Sequence, residues 1–129
     1  ENDKIVEIKT AHLTEETLTA DNFILATGSF MSQGLISNYT HVFEPVFGLD
    51  VKSLANRNDW YDENVFRAQP YMNFGVTTDA KLHAVKDGKT IENLFVTGSI
   101  LSGHNNIKFA DGEGVSMLTA LYAAKKIVK

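Results

Sequence analysis

The stretch "ILATGSFMSQG" at residues 24–34 is echoed by "FVTGSILSG" at residues 95–103. Laying Gly28 on Gly98 superposes Thr27, Ser29 and Ser32 on Thr97, Ser99 and Ser102. Each copy is an apolar run that stops at glycine. The uninterrupted run Phe23-Ile24-Leu25-Ala26 fits a strand covered on both faces, which places it in a sheet interior. Glycine after such a strand lets the backbone turn with φ > 0 and lets a ligand approach without a Cβ in the way. In open α/β sheets, strand ends of this kind face the crevice where ligands bind. Two such exits predict two strands that release the chain into one cleft.

The second exit carries a further element. "SGHNNIKFADGEGVSMLTA" passes Gly103, Gly112 and Gly114 and delivers the chain to a helix start, where unpaired N–H groups and the positive dipole end attract a phosphate or a carbonyl oxygen. The helix is predicted over residues 114–129, with Val115, Leu118, Leu121, Tyr122 and Val128 near one apolar face and Lys125, Lys126 and Lys129 toward the C-terminal end. The P-loop spacing is absent, as is G-x-G-x-x-G after a strand, which disfavours a nicotinamide-binding domain.

Elsewhere the pattern is less regular. Ile5, Val6 and Ile8, punctuated by Lys4, Glu7 and Lys9, predict a half-buried strand, and "TEETLTADN" then turns the chain round. From Ser37 onward, polar residues interleave with aromatics, and both prolines, Pro45 and Pro70, fall here with the only tryptophan, Trp60. Val51, Leu54 and Ala55 have the spacing of a short helix that residues 56–58 would end. "NFGVTTDAKLHAV" reads as strand, turn, strand, with Asp87-Gly88 as a hairpin signal, and "IENLFVT" as a further strand. The division is therefore 1–35, strands ending in the ATG motif; 36–93, a cap or substrate and interface region; and 94–129, a last strand, Gly-rich loop and helix. Trp60, Tyr61, Phe66, Tyr71 and Phe74 offer an aromatic wall against a ring, but at irregular spacing they read as core, while Phe43, Phe47 and Phe66 would serve a subunit interface if the chain assembles.

Composition closes off several function classes. With 129 residues, 43% hydrophobic and 22% charged, the chain can bury a core and suits one domain. Its net charge of −4, without a basic cluster among aromatics, gives no electrostatic footprint for nucleic acid. No cysteine is present, so disulfides, Cys-ligated zinc, iron–sulfur ligation and a cysteine nucleophile are excluded, and redox chemistry would need a bound cofactor. No apolar run approaches the ~18 residues of a membrane span and no leader opens the chain, which predicts a cytoplasmic protein with no direct membrane insertion. Opening at Glu1 and entering a strand at once, the sequence reads as a piece of a longer protein.

The order of apolar strand and "ATG", then "NLFVTG", Gly-rich loop and helix, resembles the second half of the two-dinucleotide-binding-domain flavoproteins. "GSFMSQGL", "EPVFGLDV", "RNDW", "AQPYMNFGVTTD", "IENLFVTGSILSGHN" and "GVSMLTALYAAKKI" narrow the resemblance, across nearly the whole chain, to the family of B subunits of anaerobic glycerol-3-phosphate dehydrogenases. It implies an α/β fold with mixed α+β character: the C-terminal part of an FAD/NAD(P)-binding-like domain with an irregular cap. It also implies FAD or FMN in the full-length parent. The implied reaction oxidises sn-glycerol 3-phosphate to dihydroxyacetone phosphate, with electrons passing toward a membrane quinone through catalytic and membrane-anchoring partner subunits, peripheral to the inner membrane. The early glycine fingerprint is absent, so this piece alone is expected to hold little or no flavin and to be inactive.

By that resemblance Thr27, Gly28 and Ser29 would lie near the cofactor's phosphate or ribose. Gly98 and Ser99 would meet the ribityl or pyrophosphate portion, with Gly103 and Gly112 in the adjoining loop. The N–H groups of Gly114 and Val115 would face the flavin N1–C2=O edge, where preorganised donors favour the reduced ring. Ser99 stands where the superfamily carries an acidic residue, a weaker neutral partner that also suits a rival reading: a non-catalytic scaffold docking a catalytic partner. Alcohol oxidation calls for a base, and His104 is the histidine beside the presumed site, although a solvated loop histidine explains it as well. Arg57, Arg67 and Lys108 are the cations that would meet a substrate phosphate, each with a surface role as its alternative. His12, His41 and His83 fall in no constellation, and Asp79 reads as a turn residue.

Overall fold

The computed structural model describes residues 4–128, so Lys129, assigned above to the basic end of the helix, lies outside the described residues. Strand pairing begins with a ribbon of β1 (Ile8–Thr10) and β2 (Leu13–Leu18), which run antiparallel. The turn expected over residues 14–22 is therefore displaced: the chain reverses at Ala11-His12, and "LTEETL" is strand. Two threonines support an extended backbone, and an exposed ribbon tolerates the glutamates.

The sheet that organises the site has the order β3-β9-β8. In it β3 (Phe23–Leu25) lies parallel to β9 (Lys89–Val96), with Phe23 opposite Leu94 and Leu25 opposite Val96. β8 (His83–Lys86) pairs antiparallel with β9 through the expected hairpin at Asp87-Gly88, both residues having positive φ. The Asp50 carboxylate accepts from both turn N–H groups, at 2.9 and 2.8 Å. β9 runs across the boundary drawn between residues 93 and 94, and β8 brings the central segment into the same sheet. Against expectation, β3 is covered on one face only: Leu25 is buried, whereas Ile24, which points to the opposite face, is exposed.

Two small ribbons complete the strands: β4 (Ile36–Ser37) with β5 (Val42–Phe43), and β6 (Val51–Lys52) with β7 (Gly75–Val76). The short helix expected at residues 51–55 is absent, since Val51 pairs with Val76 instead and the next helical turn after it is a 3-10 turn at Arg57–Asp59. Leu25, Leu35, Trp60, Phe74, Val76, Leu94, Val96 and Ile100 belong to one core, where each full burial of a Val or Leu stabilises by about 1.5–3 kcal/mol. Of the five aromatics expected there, Trp60 and Phe74 are buried and meet edge to face at 5.9 Å, while Tyr61, Phe66 and Tyr71 are exposed. Buried Glu44, passed over in the sequence, accepts from the N–H groups of Val46, Phe47 and Leu49 and so shapes the turn into Asp50.

A four-residue helix, α1 (Asn106–Phe109), precedes α2 (Gly112–Ile127). α2 packs by a different face from the one expected: Val115, Thr119, Ala123 and Ile127 turn inward, four residues apart, with Ala123 fully buried. Leu118, Leu121 and Val128 are 68%, 53% and 74% exposed. Small Ala123 and Thr119 allow the helix to approach the turn at residues 98–100, which the bulkier leucines would hold off. No described helix is long and apolar enough to cross a membrane.

Asp79 is a turn residue, as read, and it also partners His83. Its Oδ1 accepts from the N–H groups of Lys81 and His83, and its Oδ2 lies 2.9 Å from His83 Nδ1. Burial pushes the carboxyl up, but the hydrogen bonds from the His83 ring and from those two N–H groups, with the attraction of a charged His83, outweigh it and hold Asp79 below its ordinary value. A lowered folded-state pKa stabilises above the unfolded value of 3.8 and is lost as pH falls through the lowered one. Asp79→Asn is therefore expected to unfold at lower urea than the unaltered chain at neutral pH, with the gap between their midpoints narrowing below pH 3.8.

Candidate functional site

Beyond Leu25 and Val96 the parallel strands leave the sheet side by side, and the Thr97 N–H still donates to the Leu25 carbonyl at 3.0 Å. Gly28 and Gly98 then take φ of +77° and +82°, a region that L side chains rarely enter. Each exit runs into a 3-10 turn, Phe30–Ser32 after the first and Gly98–Ile100 after the second. A Cβ on Gly28 would stand 3.7 Å from Ser99 Oγ, so the exits meet. The repeated Thr-Gly-Ser is thus one backbone course written twice, on neighbouring strands. Gly34, which the sequence reading passed over, closes the first exit, where a Cβ would collide with the Gly28 carbonyl.

Two cavities open over this junction, with Ser99 and Asn106 bordering both. The first, of about 310 Å³, carries no charged lining: Ser29, Phe30, Tyr71 and Asn105 surround it with aromatic, hydroxyl and amide surface. The second, of about 570 Å³, extends along the start of α2 beside Gly112, Glu113 and Ser116. The result is one groove running from an aromatic wall, across the second exit, to a helix N-terminus. In α2 the Val115 N–H donates to the Asp111 carbonyl at 3.0 Å, so this donor is spent. The helix begins two residues earlier than expected, and the first-turn N–H groups of Gly112, Glu113 and Gly114 have no partner among the described residues. The Gly98 N–H is likewise engaged, by Thr119 Oγ1 at 2.9 Å, which ties the strand exit to α2.

The other sequence candidates separate. Gly103 lies away from the groove, its N–H on the Asn73 carbonyl and its surface in another cavity beside Pro70 and Phe74. His104 borders neither cavity of the groove; its Nε2 lies 2.7 Å from Asp111 Oδ1 and its ring stacks on Phe109, which fastens the loop before α2. Arg67 faces Asp62 at 3.6 Å, the Lys108 ammonium stands over the Phe109 ring, and Arg57 lies across the Tyr39 and Trp60 rings, so the three cations do not converge. Phe30, Asn105 and Asn106 border the groove without having been singled out in the sequence, and Tyr71, read there as core rather than as a wall against a ring, borders it too. The signal for two of them was present, since Asn105-Asn106 interrupts the segment between exit and helix.

Two polar side-chain atoms are buried without a partner among the described residues: Asn106 Oδ1, on a residue that borders both cavities, and Thr27 Oγ1, on one at the first strand exit that borders neither. Such atoms cost free energy until something pairs with them. A flavin nucleotide brings hydroxyls, ring N–H groups and ring carbonyls, so the groove's neutral aromatic end, the orphaned Asn106 amide oxygen and the free helix donors fit that group. Glu113 sets a limit, since its carboxylate would repel a phosphate placed at the start of α2.

Comparison with known proteins gives the same cofactor class. The B subunit of the anaerobic glycerol-3-phosphate dehydrogenase of Yersinia enterocolitica is 45% identical over 111 residues, 86% of this chain and 26% of that protein. Those of Pectobacterium atrosepticum and Aliivibrio fischeri are 41% identical over 124 residues and 43% over 114, covering 96% and 87% of this chain and 30% and 25% of theirs. The chain therefore spans less than a third of the length of these relatives. No solved structure matches it. The family model described as an FAD binding domain matches residues 1–115, and with its mixed sheet, paired glycine exits and groove, the chain belongs to that family, an α/β class of FAD-binding domain.

Proposed function

We propose that this chain is the C-terminal part of the flavin domain, with a cap formed by residues 36–93, of a protein that oxidises sn-glycerol 3-phosphate to dihydroxyacetone phosphate. The single observation that carries the reading is the meeting of both glycine exits at a groove that is neutral at its aromatic end and leads to the α2 N-terminus. The relatives' names support the substrate and the existence of partner subunits. When bound, FAD supplies the acceptor for the two electrons that leave the alcohol. Ser29, Ser99 and Asn106 hold and orient the ribityl and ring portions, and Thr27 and Gly28 approach the sugar-phosphate side. Gly112, Glu113 and Gly114 present N–H donors to a ring carbonyl, where the Glu113 charge does not oppose a phosphate. Phe30 and Tyr71 keep water from the ring face. Electrons then pass through catalytic and membrane-anchoring partners to a quinone, with the chain on the cytoplasmic side of the membrane.

Ser99 favours one rival: a flavoprotein-like scaffold that docks a catalytic partner. Purified full-length protein separates the two. It is expected to show visible flavin absorbance, with FAD rather than FMN released on denaturation, whereas a protein that stays colourless after reconstitution with excess FAD supports the scaffold.

A further inference from the structure

A third cavity, of about 260 Å³, is bordered by Arg57, Ser37, Tyr61 and Trp60, and by Phe30 and Tyr71 of the aromatic wall. It is smaller than the roughly 300–1,000 Å³ of sites for drug-sized ligands, so it admits a small metabolite and excludes a dinucleotide. Because Phe30 and Tyr71 also border the groove, the two spaces are neighbours divided by one aromatic pair, whose rings meet edge to face at 6.0 Å.

Arg57 is held there without a counter-charge. Its guanidinium lies 5.1 Å from the Tyr39 ring centre and 5.0 Å from that of Trp60, and its Nη1 donates to the carbonyls of Asn38 and Tyr39 at 3.1 and 3.4 Å. These contacts fix the guanidinium plane through one nitrogen. Among the described residues no carboxylate pairs with it, in contrast to Arg67, which has Asp62. Ser37, Tyr61 and Tyr71, which border the same cavity, each carry a hydroxyl. A planar cation oriented by stacking, with donors to spare beside three hydroxyls, matches a small anion that carries hydroxyl groups of its own.

We infer that Arg57 binds the anionic group of the substrate, a small polyol phosphate, seating it in this cavity with the carbon chain directed past Phe30 and Tyr71 toward the groove. The inference rests on the flavin reading for what lies beyond that pair. It assigns the phosphate to Arg57 and leaves Arg67 and Lys108, the other two cations, as surface charges.

Calorimetric titration of the full-length protein with sn-glycerol 3-phosphate, inorganic phosphate and glycerol tests it. Arg57→Gln is expected to weaken sn-glycerol 3-phosphate binding by roughly 10- to 100-fold, the loss that follows from removing a charge-assisted hydrogen bond, with Arg57→Lys between it and the unaltered protein. Inorganic phosphate binding should fall with it, glycerol binding should not change, and Arg67→Gln should bind as the unaltered protein does. Ser37→Asp, which adds a carboxylate to the cavity without removing an Arg57 contact, is expected to give the same loss and serves if Arg57→Gln unfolds. Unchanged affinity in Ser37→Asp and in folded Arg57→Gln, or an unaltered protein that does not bind sn-glycerol 3-phosphate, overturns the assignment. Flavin absorbance of the same samples keeps the two readings apart: flavin retained with unchanged affinity removes Arg57 alone, while a colourless unaltered protein with an Arg57-dependent phosphate site removes the cofactor reading.

Discussion

Gly98→Val is expected to strip the full-length protein of its flavin, read as loss of visible absorbance against an unchanged protein signal. Space is not the reason, since the nearest atom to an added Cβ is Ser116 Oγ at 3.5 Å. The cause is backbone: φ is +82°, where an ordinary L residue costs about 1–2 kcal/mol and a β-branched one more. Relief by rotation swings the Gly98 N–H away from Thr119 and carries Ser99 out of the groove. Gly98→Asn, whose side chain tolerates the left-handed region, should keep a part of the flavin. A Val variant as yellow as the unaltered protein would show that the second exit does not hold the cofactor.

Glu44→Ala is expected to produce the largest loss of stability, about 3–5 kcal/mol, because it takes the acceptor from one buried and two partly buried N–H groups, and hydrogen bonds to a charged group are worth about 1.5–3 kcal/mol each. Val46 and Phe47 N–H groups lie 2.7 and 2.8 Å from the two carboxylate oxygens, and that of Leu49 at 3.4 Å. The turn they form delivers Asp50 to the hairpin at Asp87-Gly88 and the Phe47 carbonyl to Lys86 Nζ. Unfolding should therefore spread from the turn to β8 and β9. Glu44→Gln retains one acceptor oxygen and should lose less than half as much in urea unfolding. Equal midpoints for Glu44→Ala and the unaltered protein would mean that water replaces the carboxylate without cost.

What the sequence disclosed and withheld follows from how local each cause is. The strand exits were legible because Thr-Gly-Ser appears twice and positive φ at glycine is a local demand, which Gly28 and Gly98 both satisfy. The hairpin at Asp87-Gly88 was legible for the same reason. The packed face of α2 was not: apolarity pointed to Leu118 and Leu121, whereas the contact with the second exit selected small Thr119 and Ala123 by distance of approach. Arg57, Arg67 and Lys108 looked alike as cations, and only the fold separates an arginine stacked between two rings from one paired with a carboxylate. Glu44 was invisible as a buried acceptor because its three donors are backbone groups, which no side-chain pattern marks.

The Thr119 hydroxyl accepts from Gly98 while donating to the Val115 carbonyl at 2.7 Å. One oxygen thereby ties the final strand to the long helix, so that displacing either strains the turn that carries Ser99.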